Sequence, residues 1–273
     1  MRVFIDSVAL RGPGLAGWEA SRMMLAGQAP YVAEPMPRPS GEMLPALERR
    51  RSSATVRLAV QVAKEALEAA ARDASGVATV FASASGDTEI IHHICAGLAE
   101  TEREISPMRF HNSVHNAPAG YWSIATGSRQ PSTSLSAYDG SFAAGLLEAA
   151  IQCHTEHLPV LLVAYDLPPP APLHAARPIT DPFACALLMA PEQGARSLAG
   201  LDLRCAGEPL PPASQIDDAD LEALRQGNPA ARALPLLAAL AAGRGGRLHL
   251  PYLDDLSLTL ELTPCSTNPL SAS

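Results

Sequence analysis

The sequence predicts an α/β protein in which helices cover a sheet, and three observations carry this prediction. Strand patterns alternate with helical patterns along residues 1–166, as in folds whose strands are joined by helices. Hydrophobic residues make up 47% of the 273 residues and charged residues 18%, which predicts a buried core. Aromatic residues are only 4%, so the core consists largely of small side chains that let helices pack closely on a sheet.

The first elements follow from local patterns. Residues 2–10, RVFIDSVAL, alternate and are rich in β-branched residues, which predicts a strand. Residues 17–27 predict a short helix, and the proline-rich residues 28–46 predict an irregular surface segment. Residues 48–76 carry an apolar stripe at i, i+3 and i+4 spacing, which predicts one long helix ended by Gly76.

The rest of the first half continues the alternation of strands and helices. The predicted elements are a strand at 77–85, a helix at 87–100 capped by Asp87 or Thr88, a helix at 115–127 capped by Asn116, a strand at 132–137, a turn at 138–140, a helix at 141–152 and a strand at 158–166. These elements make residues 1–166 the first of two predicted structural units.

The second predicted unit, residues 167–264, is shorter and ends in a tail at 265–273. Its predicted elements are a linker at 167–178, two strands at 183–191 and 196–208 that form a hairpin, a helix at 229–246, and a strand pair at 248–264 that turns at Asp254 and Asp255.

Composition excludes several classes of function. The formal net charge is −8 and no basic stripe is present, so nucleic acid is not an expected partner. No window reaches the roughly 18 apolar residues of a membrane span, so membrane insertion is not expected. The scattered cysteines show no metal-type pairing, and their odd number without a secretory signal favours free thiols in the cytoplasm. No cofactor is expected. The cysteines are Cys95, Cys153, Cys185, Cys205 and Cys265.

The segment PSTSLSAYDGSFAAG, residues 131–145, has the form of a strand-to-helix elbow. Enzymes often place a nucleophile at such an elbow, because the N-terminus of the helix stabilises negative charge. The strand of this elbow ends at Ala137, which has no nucleophilic group.

The elbow resembles that of the β-ketoacyl-ACP synthases, members of the thiolase fold, whose strand ends in T-A-C-A-S-G with a further glycine five positions on. Gly140 and Gly145 match the two glycines, so the family's cysteine falls on Ala137. The resemblance implies a thiolase-like layered α/β/α/β/α fold with a truncated C-terminal half. Four further stretches are similar to the family, at 48–67, 115–127, 177–195 and 253–262.

The resemblance also shows what is missing. A condensing enzyme of this family needs the cysteine and two histidines from its second half. The second half of this chain offers only His174 and His249, neither in the family's H-G-T context. The resemblance therefore implies a non-catalytic subunit, similar to the chain-length factors of aryl polyene (xanthomonadin-type) pigment pathways. Such a subunit forms a heterodimer with a full-length β-ketoacyl-ACP synthase, shapes its acyl tunnel, and meets acyl carrier protein through the complex.

In the family, two protomers pair through the strand that leads into the elbow, which implies interface or tunnel positions in this chain. Asp139 is alternatively a catalytic acid or base beside the elbow, or the N-cap of the following helix. Tyr138 either fills the pocket left by the cysteine or packs in the core. The implied positions are Met108, Phe110, His111, Asn112, His115, Leu135, Tyr138 and Asp139.

Other functions remain open at this level. His111 and His115 have the spacing of two metal ligands on a helix, but Pro118 makes a continuous helix doubtful and no third ligand is evident, so no metal site is expected. An acyl transferase or hydrolase would use Ser136 or Ser141 as nucleophile and His115 as base. A homodimeric module that holds acyl carrier protein without chemistry is the third possibility.

Overall fold

The computed structural model describes residues 1–265, so tail residues 266–273 lie outside the described part. The strands are β1 (Arg2–Arg11), β2 (Ala78–Ala82), β3 (Ser132–Leu135), β4 (Val160–Asp166), β5 (Phe183–Ala190), β6 (Ala199–Ala206), β7 (Gly246–Leu253) and β8 (Leu256–Pro264). The helices are α1 (Trp18–Leu25), α2 (Ala46–Arg51), α3 (Ala54–Ala70), α4 (Thr88–Ala99), α5 (Pro107–Asn112), α6 (Ala117–Thr126), α7 (Ser141–Glu156), α8 (Leu173–Ala176), α9 (Ala219–Gly227) and α10 (Leu234–Ala241).

The eight strands form one mixed sheet in the order β3-β2-β4-β5-β1-β6-β8-β7. β2 pairs in parallel with β3 and β4, and the remaining pairs are antiparallel. The predicted hairpin of β5 and β6 is wrong, because β1 lies between them and pairs with both. β1 is buried on both faces, as expected for a strand in the middle of a covered sheet.

Helices cover both faces of the part of the sheet that β1, β2, β4 and β5 form. α3 and α6 pack over one face, and α7 and α10 pack over the other. The sheet curves so far that β7, at one edge, contacts α7, which also packs on β2 and β4 near the opposite edge. The packing order is therefore helix, sheet, helix, sheet.

The outer face of β6, β8 and β7 shows where the second half is shortened. Exposed ion pairs join Glu261 to Arg204 and Arg247 on this face. A charged, solvated surface of this kind does not pack against the apolar side of a helix. Among residues 1–265, this solvated charge lies where a last helical layer would pack, while Ser257 and Thr259 on the same face of β8 are buried.

The prediction of one unbroken helix at 48–76 is wrong. Two helices, α2 and α3, replace it because Ser52 and Ser53 adopt extended backbone conformations between them. The Ser53 hydroxyl accepts a hydrogen bond from the Val56 amide at 3.2 Å, so Ser53 is the N-cap of α3. α3 ends at Ala70, earlier than Gly76.

Most other predicted elements are confirmed, with boundaries shifted by a few residues. Asp87 caps α4 through a 3.1 Å bond from the Ile90 amide, as predicted. Asn116 occupies the cap position of α6 but makes no side-chain cap bond, contrary to the prediction. The sequence patterns did not predict α5, α8 or α9. For α9, the Asp218 N-cap before Leu221 and Leu224 was a usable signal.

Candidate functional site

The elbow follows β3, an edge strand of the sheet. The chain leaves β3 after Leu135, makes a 3-10 turn at 138–140 and enters α7 at Ser141. Tyr138 has φ 50°, a left-handed conformation that is unusual for a large side chain and marks the strained point of the turn. The Ser141 hydroxyl accepts from the Ala137 amide at 3.0 Å and donates to the Tyr138 carbonyl at 2.7 Å, which braces the turn.

The two glycines of the motif are required because other segments of the chain lie too close to leave room for a side chain. A Cβ atom on Gly145 would lie 2.7 Å from the Cβ of Ala82 and 2.9 Å from Cδ1 of Leu162. Gly145 therefore allows α7 to lie directly against β2 and β4. A Cβ atom on Gly140 would lie 2.2 Å from the carbonyl oxygen of Tyr252, so the end of β7 sits against the elbow.

Asp139 faces two arginines that come from the second half of the chain. Its Oδ1 lies 2.6 Å from Nη2 of Arg177, and its Oδ2 accepts a hydrogen bond from Nη2 of Arg232 at 3.1 Å. Burial lowers the pKa of Arg232, and the Asp139 carboxylate acts in the opposite direction. The predicted N-cap role of Asp139 is wrong, since Gly140 holds the N-cap position of α7 and no side-chain cap bond forms there. Asp139 instead joins the two halves.

Tyr138 projects outward from the elbow. Its side chain is 63% exposed, so it is not a core residue. The guanidinium carbon of Arg177 lies 3.8 Å from the centre of its ring, within the range of a cation–π contact. The same arginine therefore supports the ring of Tyr138 and pairs with the carboxylate of Asp139.

A buried carboxyl group lies at the end of β4, close to Arg177. The Oδ1 atom of Asp166 accepts hydrogen bonds from the Ser83 hydroxyl and the Ala84 amide, both at 2.9 Å. Its Oδ2 atom is buried and has no hydrogen-bond partner among residues 1–265. Burial raises the pKa of Asp166 to about 7, while these bonds and the charge of Arg177 act against the shift.

Asp166→Asn is expected to change the pH dependence of stability. Between the usual pKa of an unfolded aspartate, about 3.9, and the native value of about 7, the native chain binds more protons than the unfolded chain. The stabilisation by the raised pKa is thus complete at low pH and is lost as the pH rises through about 7. Asparagine keeps the acceptor oxygen and does not ionise. The free energy of unfolding of the variant, relative to that of the wild type, should therefore rise by up to about 1.4 kcal/mol per pH unit.

Urea unfolding midpoints at pH 5, 6, 7 and 8 measure this difference. Asp254→Asn, in the exposed turn between β7 and β8, is the control and should follow the wild type at every pH. A constant difference between Asp166→Asn and the wild type across this range would contradict an elevated native pKa.

The serine and histidine candidates do not form a catalytic pair. The Ser136 hydroxyl donates to the Ala84 carbonyl at 3.0 Å, and Nε2 of His115 lies 3.1 Å from the Ser83 carbonyl oxygen. Ser141 is only 1% exposed, and its hydroxyl is committed to the turn. In the part of the chain that the structure describes, neither hydroxyl bonds to His115.

The remaining predicted positions divide into exposed and supporting residues. Met108, Phe110 and His111 lie exposed on α5, with Phe110 65% exposed. Asn112 is buried; its amide donates to the Arg51 carbonyl at 2.8 Å, and its Oδ1 accepts from the Tyr121 hydroxyl at 3.0 Å. Asn112 thus anchors α5 from within the chain. Leu135 is partly buried against the core.

The structure shows where the cysteines and the two histidines of the second half lie. Cys153 in α7 and Cys185 in β5 are buried, and burial raises the pKa of Cys153 to about 12. Cys95, Cys205 and Cys265 lie on α4, on β6 and just after β8, respectively. His174 is exposed in α8. His249 on β7 has its Nδ1 3.1 Å from the Thr259 hydroxyl.

Sequence reasoning missed Arg177, Arg232, Asp166 and Asn228 as residues around the elbow. Asn228 is fully buried, and its Nδ2 donates to the carbonyls of Asp166 at 3.0 Å and Asp181 at 2.8 Å. The only available signal was the family-like segment that begins at Arg177. The other three residues have no local pattern, because their roles depend on contacts between distant segments.

No group of three or more histidine, cysteine, aspartate or glutamate side chains within residues 1–265 could hold a metal ion. Among the helices of the same range, none combines the length and apolar character needed to cross a bilayer.

Sequence and structure comparisons relate this architecture to known proteins. The family model described as Beta-ketoacyl synthase, N-terminal domain, matches residues 24–245. No curated protein sequence matches the chain. The alignment with the family model covers the elbow, both of its glycines and both arginines that face Asp139.

Three solved structures are similar over nearly the whole chain. A chain of the ketosynthase (ApeO) in complex with its chain length factor (ApeC) from Xenorhabdus doucetiae is 25% identical, with a TM-score of 0.72, and the match covers 96% of this chain and 99% of that one. The ishigamide ketosynthase/chain length factor is 14% identical, with a TM-score of 0.72 and coverage of 97% and 100%.

The third structure is the AntDE:AntF complex, a type II PKS acyl-carrier protein with its ketosynthase bound to the hexaketide. Its matching chain is 13% identical, with a TM-score of 0.75 and coverage of 97% and 99%. These likenesses and the family match confirm the predicted thiolase-like fold with a truncated second half.

Proposed function

Since the chain belongs to the beta-ketoacyl synthase family, matched through its N-terminal domain, we propose that it is a non-catalytic, chain-length-factor-like partner of a β-ketoacyl-ACP synthase. One observation carries the proposal: the elbow of a condensing enzyme is retained, yet its side chains are those of Ala137, Tyr138 and Asp139. A solved relative that is 25% identical pairs a ketosynthase with its chain length factor.

The elbow lacks the chemistry of condensation. A thiolate attacks an acyl thioester because sulfur is strongly nucleophilic and its pKa can be lowered by nearby positive charge. The carboxylate of Asp139 is a weak nucleophile, and it is already paired with Arg177 and Arg232. The chain therefore would not condense acyl groups by itself.

The free edge of β3 is the surface through which we propose that the partner binds. The carbonyls of Pro131 and Leu135 accept bonds from the amides of Thr79 and Ser83, so they point toward β2. Backbone groups alternate in direction along a strand, so the amide and the carbonyl of Ser134 point toward the free edge. An unpaired edge of this kind is a template for a strand of another chain.

Exposed apolar side chains support the same surface. Phe110, Val114 and Ile124 are each more than half exposed on or beside α5 and α6, and α6 packs against β3. We propose that these exposed apolar side chains belong to one interaction surface. Together with Tyr138 after the strand, they would contact the ketosynthase and shape its acyl tunnel.

The proposal extends to the setting of the complex. The chain resembles subunits of aryl polyene pathways, so the product would be a polyene chain. This chain has a net charge of −8 and would repel an acidic acyl carrier protein. We therefore propose that the carrier protein docks on the ketosynthase. The five cysteines are free thiols, and we propose that the complex works in the reducing cytoplasm.

The test is co-expression of the tagged chain with the ketosynthase encoded beside it. The two chains should co-purify, and the pair should extend malonyl-loaded carrier protein while this chain alone does not. The proposal fails if the chains do not co-purify, or if the ketosynthase extends chains of the same length without its partner.

Ser134→Pro is expected to weaken co-purification at least about tenfold without unfolding the chain. Proline removes an amide that faces the free edge and is tolerated on the open side of an edge strand. Ser134→Ala is the matched control, since it removes only the hydroxyl and should co-purify as the wild type does. Normal co-purification of a folded Ser134→Pro variant would show that β3 is not the pairing edge.

A further inference from the structure

We infer that a cavity between α3 and α6 binds a small uncharged molecule with an apolar body and a carbonyl oxygen, and that the indole N–H of Trp122 donates a hydrogen bond to this oxygen. The cavity has a volume of about 250 Å³ and is lined by residues of α3 and α6, by the segment 72–74 and by Met43. None of the elbow residues 131–145 lines it. The inference therefore does not depend on the proposed function.

Trp122 provides the hydrogen-bonding group that selects the ligand. Trp122 lines the cavity and is only 3% exposed, and its Nε1 atom is buried without a hydrogen-bond partner among residues 1–265. Buried polar groups of folded proteins nearly always have such a partner. Because the indole N–H can only donate, a ligand that satisfies it must carry an acceptor atom.

The carboxylates that line the cavity already have partners within the chain. Nζ of Lys64 lies 3.4 Å from Oε1 of Glu68, and Oδ1 of Asp73 accepts a hydrogen bond from the Ser75 amide at 2.8 Å. Arg72 differs, because its Nη2 lies 3.8 Å from Oδ2 of Asp6, too far for a hydrogen bond. Arg72 is therefore a second donor that an acceptor in the cavity can use.

The charges around the cavity disfavour a charged ligand. Two cations, Lys64 and Arg72, line it together with two carboxylates, Glu68 and Asp73, so the formal charge is balanced. α3 and α6 both end beside the cavity, and the negative ends of their dipoles would repel an anion. An ammonium group would only donate and could not accept from the indole. A carbonyl oxygen carries no charge, and its two lone pairs can accept from both Trp122 and Arg72.

Apolar groups and the size of the cavity set the body of the ligand. Leu67, which is 4% exposed, and Ala74 line the cavity beside the indole ring. Its volume of about 250 Å³ lies below the range of about 300–1,000 Å³ that is typical of sites for drug-sized ligands. The ligand is therefore no larger than a single ring or a short chain. Cyclohexanone has this size and chemistry and serves as the probe.

The test follows the indole N–H signals of the two tryptophans of the ¹⁵N-labelled chain during titration with cyclohexanone, and Trp18→Phe assigns them. The Trp122 signal should move and saturate at millimolar concentrations, while the Trp18 signal stays in place. Cyclohexylammonium and cyclohexanecarboxylate have the same ring and should bind at least about tenfold more weakly. A Trp122 signal that stays in place, moves without saturating, or responds equally to the three probes would overturn the inference.

Two substitutions locate the binding. Ala74→Leu fills part of the cavity and should weaken the response of the Trp122 signal at least about tenfold. Gly76→Ala is the control, since its added Cβ would meet nothing within 4 Å and Gly76 does not line the cavity; it should bind as the wild type does. Unchanged binding by a folded Ala74→Leu variant would contradict the site.

Trp122→Phe keeps an apolar wall and removes the N–H, so cyclohexanone should raise the melting temperature of this variant less than that of the wild type. An equal rise in both chains would show that the indole does not bind the probe. All of these measurements use this chain alone, so their outcomes are independent of whether a ketosynthase co-purifies.

Discussion

Gly140→Ala is expected to destabilise the chain by about 3 kcal/mol or more, because the elbow and the end of β7 are in backbone contact. An added Cβ atom would lie 2.2 Å from the carbonyl oxygen of Tyr252 and 3.1 Å from its carbonyl carbon. Neither atom belongs to a flexible side chain, so the 3-10 turn or β7 must move. Movement of the turn would also disturb the arginines that hold Asp139.

Gly120→Ala is the matched control for this substitution. Gly120 lies exposed in α6, and its added Cβ would meet nothing within 4 Å. Alanine should stabilise this helix position by roughly 0.5–1 kcal/mol. Urea unfolding of both variants measures the contrast. A Gly140→Ala variant as stable as the wild type would mean that β7 does not close over the elbow.

Asn228→Ala is expected to lower the free energy of unfolding by about 3 kcal/mol or more, which is the second large effect. The amide donates to the carbonyls of Asp166 and Asp181, while Oδ1 accepts from the amides of Ala230 at 2.8 Å and Ala231 at 3.3 Å. Alanine would remove this partner from the Ala230 amide and from the carbonyls of Asp166 and Asp181, and each unsatisfied buried group costs about 1–3 kcal/mol. Asn228 also joins the end of β4 to the second half, so its loss would loosen the elbow.

Gln226→Ala controls for the loss of an amide side chain in the same region. Its Nε2 bonds to Glu222 at an exposed position, so the expected change is within about 0.5 kcal/mol. Thermal unfolding of the two variants under identical conditions separates their effects. If Asn228→Ala lowers the melting temperature no more than Gln226→Ala, its bonds do not hold the two halves together.

The accuracy of the sequence predictions depends on how local each pattern is. The strands β1, β4 and β5 and the helices α3 and α7 are predicted because the apolar pattern of each one lies within a single segment. Their order in the sheet was not predictable in the same way. β1 lies between β5 and β6 because it pairs with segments that are distant in the chain. β5 and β6 are themselves apolar enough to pair with each other, so the sequence did not exclude a hairpin.

Local propensity also failed at Asp139. An aspartate just ahead of a helix is typical of an N-cap, because its side chain can bond to the first free amides. Here the carboxylate turns to Arg177 and Arg232 instead, and the second of these lies 93 positions away along the chain. Ion pairs with two partly buried guanidinium groups outweigh a cap worth about 1 kcal/mol.

The amino-acid order alone determined that this elbow has no sulfur nucleophile, because every cysteine lies elsewhere in the chain. It also determined the close packing of α7, through Gly145. Only the tertiary structure decided which side chain takes the charged position, since the positive groups that select Asp139 are brought to the turn by folding of the second half.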